Sequence, residues 1–390
     1  MNAHPAPQPI PSPLAAVGSA GNPAEVEANG ILTIDLAAIA ANYRMLAAKV
    51  LPAECGAVVK GDAYGCGLEP VVTTLSRAGC RTFFVAHLSE ARRVRTLAPE
   101  AVIYVLNGFT SGAGAMIQET YARRIINSPV ELAEWDLFVS QSGWRGGAGL
   151  HVDTGMNRLG FTVEEIAAVA ARIQSENHGI ALLMSHFACA DQPQHPLNDQ
   201  QIRQFRQIRT MFRGIPASLA NSSGIFLDAS AHCDIARPGA ALFGINPTPG
   251  ARNPMRPVVS LKARVLQVRQ VPRGMTVGYG AAWTARRTSR IALIAAGYAD
   301  GIMRAVAQTD GSPGRTVILA GKRCRMIGRI SMDLLAVDVS DLPEGAVKRN
   351  DLATLIGGDL DPDQVGAQAG TIGYEILTSL GRRFHRDYRS

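Results

Sequence analysis

The chain has 390 residues, enough for two or three domains with hydrophobic cores of their own. Hydrophobic residues make up 47% and charged residues 18%, which excludes the intrinsically disordered class. The net charge is +7, but the basic residues are scattered and lack the aromatic interleaving of a single-strand binding groove, so we expect no nucleic-acid partner.

The sequence contains no clear motif for metal binding, secretion or membrane insertion. The six cysteines lie far apart, without a C-x-x-C pair or zinc-site spacing, so the sequence predicts reduced thiols and no metal. Residues 1–30 are rich in Pro, Ala and Gly, lack a signal-peptide pattern and are predicted to form a disordered tail. No apolar run reaches the roughly 18 residues of a membrane span. We therefore expect a cytoplasmic protein without a membrane partner.

Short β-rich runs alternate with segments of helical periodicity from residue 31 to about residue 240. After a first extended run at 31–34, eight strands are predicted at 57–60, 82–86, 101–106, 124–127, 150–153, 180–186, 217–220 and 233–236. This rhythm fits an α/β fold with a (β/α)8 barrel over residues 31–255, and an open doubly wound sheet would have a similar rhythm, so the motifs must distinguish the two.

Beyond residue 256 the predicted strands follow one another without helices. They lie at 258–271, 290–296, 316–320, 334–339 and 352–356. Turn signals separate them, most clearly at 272–274 and 311–314. Residues 256–390 are therefore predicted to form a second, mostly β domain.

Lysine is rare, and one of the five lysines, Lys60, ends an apolar strand in the sequence AVVKGDAYGCG at 57–67. At the end of a barrel strand the amine would lose water, and its pKa would fall from about 10.4, which suits a nucleophile. A surface lysine with a buried stem is the alternative. The fully apolar residues before Lys60 favour the functional interpretation.

The segment AVVKGDAYGCG resembles the pyridoxal-phosphate (PLP) lysine motif of the alanine racemases. Further segments resemble the family in the same order: HVDTGMNRLGF at 151–161, MSHFACAD at 184–191, ANSSG at 220–224, ARPGAALFG at 236–244, VGYGAAW at 277–283, AAGYADG at 295–301 and GRISMD at 328–333. The resemblance implies a TIM-like barrel followed by a mostly β domain, with the first strand packed on that domain. It also implies PLP as the cofactor.

The resemblance assigns the cofactor contacts residue by residue. Lys60 would bind PLP covalently, and phosphate contacts would come from Tyr64, Ser222 and the backbone amides of Gly239 and Ala240. Arg237 matches the guanidinium that faces the pyridine nitrogen. Because arginine stays protonated, the ring nitrogen would remain unprotonated and the cofactor would be a weaker electron sink. This favours racemisation over transamination or decarboxylation.

Racemisation needs one proton carrier on each face of the planar intermediate. Lys60 and Tyr279 match the two bases of the family. An unperturbed phenol titrates near 10, and the resemblance implies that His186 and Arg237 lower the pKa of Tyr279 through hydrogen bonds and positive charge.

The resemblance also implies a substrate site. Arg158 matches a residue that binds the cofactor phenolate and the substrate carboxylate, and the Met332 amide matches a second carboxylate contact. Asp333 would organise the Met332 loop, and Tyr298 and Arg304 would line a narrow access channel.

In the family, the positions of Tyr279 and Met332 reach the neighbouring subunit's barrel, which implies a head-to-tail homodimer with shared active sites. The implied reaction is the reversible interconversion of L- and D-alanine, supplying D-alanine for peptidoglycan. The alternatives are a racemase acting on serine or larger amino acids, a related barrel decarboxylase, and a non-catalytic PLP carrier protein. Arg237 argues against the decarboxylase, and the C-terminal domain argues against the carrier.

Two positions depart from the family pattern. His151 stands where many members have a carbamylated lysine, seven residues before the arginine matched by Arg158. Near the C-terminus, Arg382 aligns with a tyrosine that contacts the phosphate, and the spacing around Tyr374 leaves this register open.

Overall fold

The computed structural model describes residues 27–110, 112–175, 179–306, 309–310 and 314–390. Most of the predicted tail, residues 1–26, lies outside the described residues. Strand β1 begins at Gly30 and runs to Asp35, and helix α1 follows over Leu36–Val50. Asp35 caps this helix, because its carboxylate accepts a hydrogen bond from the Ala38 amide at 2.7 Å.

The N-terminal part then alternates short strands and helices. In chain order they are β2 Glu54–Cys55, β3 Ala57–Val58, α2 Lys60–Tyr64, α3 Leu68–Arg77, β4 Thr82–Val85, α4 Leu88–Leu97, β5 Val102–Val105, α5 Gly114–Thr120, β6 Arg123–Ile126, α6 Pro129–Ser142, β7 Ala148–His151, α7 Val163–Ser175, β8 Ile180–Met184, α8 Pro196–Thr210, β9 Ala217–Ser218 and β10 Ile235–Ala236. Most of these strands are short and apolar, as expected for parallel strands buried on both faces, and β6 differs in beginning with two arginines.

These strands close into a ring. Strands β3 to β9 form a seven-stranded parallel sheet in sequential order, and β10 pairs in parallel with β2, which continues into β3 after Gly56. Backbone hydrogen bonds from Asp234 to Ala217 and from Arg237 to Ala220 join β10 to β9. The predicted barrel is therefore confirmed, and the open doubly wound sheet is excluded.

The barrel interior is filled by side chains from alternate strand positions. They form one cluster: Val58, Phe84, Tyr104, Ile125, Leu182, Met184 and Ile235. The rings of Phe84 and Tyr104 stack there at 5.1 Å. Because successive strand residues point to opposite faces, their neighbours pack outward against the helices. The loops at the carboxyl ends of the strands are left to form the mouth of the barrel.

The C-terminal part is mostly β, as predicted. Its elements are β11 Val259–Val271, β12 Thr276–Val277, β13 Trp283–Thr284, β14 Ser289–Ile294, β15 Thr316–Leu319, β16 Lys322–Ile327, β17 Leu335–Asp338, β18 Leu352–Ile356, α9 Pro362–Gln368, α10 Gly373–Thr378 and β19 His385–Arg389. Its main sheet has eight strands in the order β14-β17-β16-β15-β18-β11-β1-β19. Strand β1 therefore lies between β11 and β19, in the sheet of the C-terminal part. Among the described residues, no helix has the length and apolar composition needed to cross a bilayer.

Candidate active site

Lys60 follows β3 after one residue, Val59, and opens a turn with an unusual backbone. Gly61, Asp62, Ala63 and Tyr64 have φ angles of 64°, 54°, 55° and 54°, all in the left-handed region. Each non-glycine residue there costs about 1–2 kcal/mol. Contacts outside the turn must therefore hold it in place, and they also fix Tyr64 relative to Lys60.

The Glu90 carboxylate is the main clamp on this turn. Its Oε1 accepts hydrogen bonds from the backbone amides of Gly61 at 2.7 Å and Asp62 at 3.4 Å. Its Oε2 accepts from the amides of Ala86 at 2.9 Å and His87 at 3.3 Å, at the start of α4. The side chain is buried, and four charge-assisted bonds offset the strain of the turn. Glu90 was not predicted as a site residue, and its one sequence signal is its place three residues after a helix cap.

Glu90→Gln is expected to loosen the turn, because the new amide group would face two backbone N–H donors. Leaving them unpaired costs about 1–3 kcal/mol, so kcat/KM for the reaction that the resemblance implies should fall about tenfold or more. Glu90 also raises the pKa of Lys60, so the variant should label faster at Lys60 with an amine reagent at neutral pH in the cofactor-free protein. Glu69→Gln, which loses only an exposed pair with Arg93, is the matched control. If Glu90→Gln had the kinetics and the Lys60 labelling rate of the wild type, Glu90 would not be the residue that holds the turn.

The electrostatics of Lys60 suit a nucleophile and a base. Its side chain is exposed at the barrel mouth, but the surrounding walls remove enough water to lower the pKa of the amine. The positive charge of Arg158 lowers this pKa further, and Glu90 opposes both effects. A larger fraction of the amine is therefore unprotonated near neutrality than for an ordinary lysine.

A polar cradle is formed where three loops meet. Ser222 is buried, and its Oγ accepts hydrogen bonds from the amides of Gly239 at 3.0 Å and Ala241 at 3.1 Å. A Cβ on Gly239 would lie 2.3 Å from the Tyr64 hydroxyl, so only glycine permits this approach. Ala240 begins the next turn, a 3-10 segment that ends at Phe243. The hydroxyls and the amide-rich turn fit a phosphate group.

Aromatic contacts hold Tyr64 in this cradle. Its ring stacks on Phe243 at 4.9 Å and meets Tyr374 edge-on at 6.4 Å. Burial raises the pKa of Tyr64, so its hydroxyl stays protonated and can donate to an anion. Tyr374 is thus the C-terminal tyrosine beside the cradle. Arg382, the other candidate from the sequence, is exposed, and its charge helps to lower the pKa of Glu69.

Arg237 lies buried beside the cradle. Its Nη1 donates to the Ser218 hydroxyl, and its Nη2 donates to the Ser185 carbonyl at 2.5 Å and to His186 Nδ1 at 3.4 Å. Burial lowers the pKa of Arg237 to about 10, which leaves the guanidinium charged at neutral pH. Burial and then the Arg237 charge lower the pKa of His186 well below its usual value, so this imidazole is neutral. The contact between Arg237 and His186 that the resemblance implied is present.

His151, which departs from the family pattern, is held by Asn127. The Asn127 amide nitrogen donates to the Ile125 carbonyl at 3.1 Å and to Glu131 at 3.3 Å, which turns its oxygen toward His151 Nδ1 at 2.9 Å. His151 must therefore donate from Nδ1 and keep Nε2 as an acceptor. Burial and the Arg237 charge lower the pKa of His151 to about 4. A neutral acceptor thus lies close enough to Arg158 for the two to interact electrostatically.

Acid should destabilise the protein through His151. Its folded pKa of about 4 lies below the unfolded value near 6.5, so the unfolded chain binds more protons as the pH falls through this window. From pH 7 to pH 5 this linkage lowers the unfolding free energy by about 2 kcal/mol. His151→Gln removes the titrating group. Between pH 7 and pH 5 its unfolding free energy should therefore fall by about 2 kcal/mol less than that of the wild type, as measured by denaturant unfolding at both pH values. Equal losses in the two proteins would contradict a buried neutral His151.

The predicted residues of the C-terminal part lie on the surface of the single chain. Tyr279, Met332 and Tyr298 are 67%, 53% and 43% exposed, and Arg304 is also exposed. Arg158, which belongs to the barrel part, is exposed as well. No hydrogen bond joins Tyr279 to His186 among the described residues.

Two loops of the C-terminal part are tied together near Met332. The Tyr298 amide donates to the Ser331 carbonyl at 3.1 Å. Arg383, which the sequence analysis missed, pairs with Asp333 at 2.7 Å and with Asp300 at 2.7 Å. Arg383 therefore bridges the loops that contain Asp300 and Asp333.

Comparison with known proteins agrees with this geometry. Residues 34–247 match the family described as alanine racemase, N-terminal domain, and residues 258–388 match the alanine racemase, C-terminal domain. A relative named alanine racemase from Methylobacterium sp. (strain 4-46) is 51% identical over 92% of this chain and 97% of that protein. One named alanine racemase, catabolic, from Mesorhizobium japonicum is 45% identical over 97% of this chain and 98% of its own length.

A solved structure is similarly close. The crystal structure of alanine racemase from Bartonella henselae, with covalently bound pyridoxal phosphate, superimposes with a TM-score of 0.88 at 37% identity. The match covers 93% of this chain and 99% of that one. The barrel, the lysine turn, the cradle and both family matches lead to one conclusion: the chain belongs to the alanine racemase family.

Proposed function

We propose that this protein is a PLP-dependent alanine racemase that interconverts L- and D-alanine reversibly. The observation that carries the proposal is the arrangement at the barrel mouth, where Lys60 has a lowered pKa and Arg237 is buried and charged. A related barrel decarboxylase would be expected to have an acidic residue at the position of Arg237, so Arg237 favours the racemase.

The residues present fit PLP. Tyr64, Ser222 and Gly239 form a polar cradle that suits the phosphate, and the missing Cβ of Gly239 lets the Tyr64 hydroxyl approach the backbone. Lys60 supplies an amine for the aldehyde group, and Arg237 supplies a donor for the pyridine nitrogen. When bound, the cofactor supplies an electron sink that makes the hydrogen on the substrate Cα acidic.

The protein's own groups would then move that proton. Lys60 removes or returns it on one face of the substrate, and the Tyr279 phenol acts on the other. Arg158 holds the substrate carboxylate, with His151 Nε2 as the acceptor that steadies the guanidinium. The Met332 amide provides a second carboxylate contact, and Tyr298 and Arg304 restrict access.

The substrate proposal is tested by chiral analysis of products from L-alanine, L-serine and L-lysine. We expect D-alanine to form with the highest kcat/KM. Faster racemisation of serine or lysine would favour the broader racemase, and the absence of every D-amino acid would favour the carrier protein.

We propose that the active unit is a head-to-tail homodimer. Support comes from the exposure of Tyr279 and Met332 in the single chain, since the two-base chemistry needs both beside the substrate and shielded from water. Mixing inactive Lys60→Ala and Tyr279→Phe proteins should restore activity, because a hybrid dimer has one complete shared site. Up to about a quarter of wild-type activity is expected from random pairing, since one dimer in two is then a hybrid with one of its two sites complete. No recovery on mixing would contradict sites shared between subunits.

We further propose that the enzyme supplies D-alanine for peptidoglycan in the cytoplasm. Two enantiomers have equal free energy, so consumption of D-alanine by cell-wall synthesis would set the direction. All six cysteines are free thiols, which suits a reducing compartment. Growth of a D-alanine auxotroph carrying this gene, without added D-alanine, is the expected result, and a failure to grow would contradict this role.

A further inference from the structure

A cavity of about 360 Å³ lies outside the barrel ring, between the start of α4 and the segment leading into α5. Arg124 of β6 lines it together with apolar Leu88 and Met116, and polar His87 and Thr110. The next residue along β6, Ile125, belongs to the barrel interior, so Arg124 points to the opposite face. None of these side chains takes part in the proposed alanine chemistry.

Arg124 is a buried cation with no hydrogen-bond or ion-pair partner among the described residues. It is 3% exposed, its Nε is sealed from solvent, and its guanidinium makes no hydrogen bond or ion pair with any residue that the structure describes. By contrast, neighbouring Arg123 donates to the Gly146 carbonyl at 3.1 Å and to the Tyr104 hydroxyl at 3.0 Å. Burying an unpaired charge is costly, and an anion in the cavity would remove this cost.

The surroundings select the kind of anion. Glu131 is close enough for its charge to act on Arg124, but its carboxylate accepts hydrogen bonds from the amides of Asn127 at 3.0 Å and Phe109 at 3.3 Å. It forms no ion pair with any residue that the structure describes. Its negative charge disfavours a phosphate dianion more than a monoanion. The planar fork of a guanidinium matches a carboxylate, and the Leu88 and Met116 walls suit a short alkyl chain.

We propose that this cavity is a second small-molecule site, which binds a short aliphatic monocarboxylate with its carboxylate on Arg124. The residues that line this cavity are not among those that the proposed function assigns to the alanine site.

Site-resolved footprinting of the cofactor-loaded enzyme tests the proposal. Methylglyoxal modifies accessible arginines, and mass spectrometry measures each one separately. Propionate at ten times its dissociation constant should slow modification of Arg124 about tenfold, whereas neutral propionamide should not. Protection of Arg158 indicates that propionate also binds in the alanine site, and it is measured separately from the protection of Arg124. No modification of Arg124 without propionate, or equal protection by propionamide, would overturn the proposal.

A pair of variants adds an independent readout. Arg124→Met removes the charge with little loss of volume, and Arg92→Met removes an exposed arginine that pairs with Glu119. Without carboxylate, Arg124→Met should unfold at or above the wild-type temperature. Propionate should raise the midpoint of Arg124→Met less than that of wild type and Arg92→Met. Equal gains in all three proteins would overturn the proposal.

Discussion

Replacing Lys60 by alanine should abolish racemisation, with a loss in kcat of at least about 10³-fold. The variant loses both the amine that would bind the cofactor covalently and the base on one face of the substrate. Cofactor retention is measured by borohydride reduction followed by mass spectrometry of the peptide that contains residue 60. We expect PLP on Lys60 in the wild type and on no peptide of the variant.

Lys49→Ala is the matched control for this experiment. Lys49 is the other lysine of the barrel part, is exposed near the end of α1, and has its amine 4.9 Å above the Phe226 ring. This contact is of the kind that contributes about 0.5–1 kcal/mol, so activity should persist. Activity in Lys60→Ala, or reduced cofactor on another lysine of the wild type, would contradict the assignment of Lys60.

Tyr279→Phe should lower kcat/KM about 10²- to 10⁴-fold, the usual effect of removing a general acid or base. The loss must be equal in both directions, because the enantiomers have equal free energy. The two enantiomers should differ in another measurement. With Lys60 intact, the enantiomer whose proton faces Lys60 should still exchange its Cα hydrogen with solvent, and the other should not.

Tyr121→Phe provides a control that also removes one exposed phenol hydroxyl, at the end of α5 and far along the chain from Tyr279. Its kinetics should match the wild type. Tyr279→Phe that racemises alanine normally, or that exchanges both enantiomers at equal rates, would show that Tyr279 is not the second base.

The architecture followed from the sequence because its signal is local. Strands alternate with helical periodicity up to about residue 240, and strands separated by turns follow. The lysine turn was not predicted, since Asp62 and Ala63 carry no strong preference for positive φ and the conformation depends on Glu90.

The site itself was only partly accessible from sequence. The resemblance supplied residues that match motifs, such as Lys60 and Arg237. Glu90, Asn127 and Arg383 were missed, because each acts through contacts with residues that only the fold brings near. Such supporting residues carry no motif of their own.

Incubation of the PLP-loaded protein with L-alanine in heavy water tests the central claim most directly. Chiral chromatography and mass spectrometry follow D-alanine and deuterium at Cα, with Lys60→Ala as the control. We predict D-alanine that carries deuterium at Cα, formed only when Lys60 is present. L-alanine that remains unconverted and free of deuterium would contradict the account.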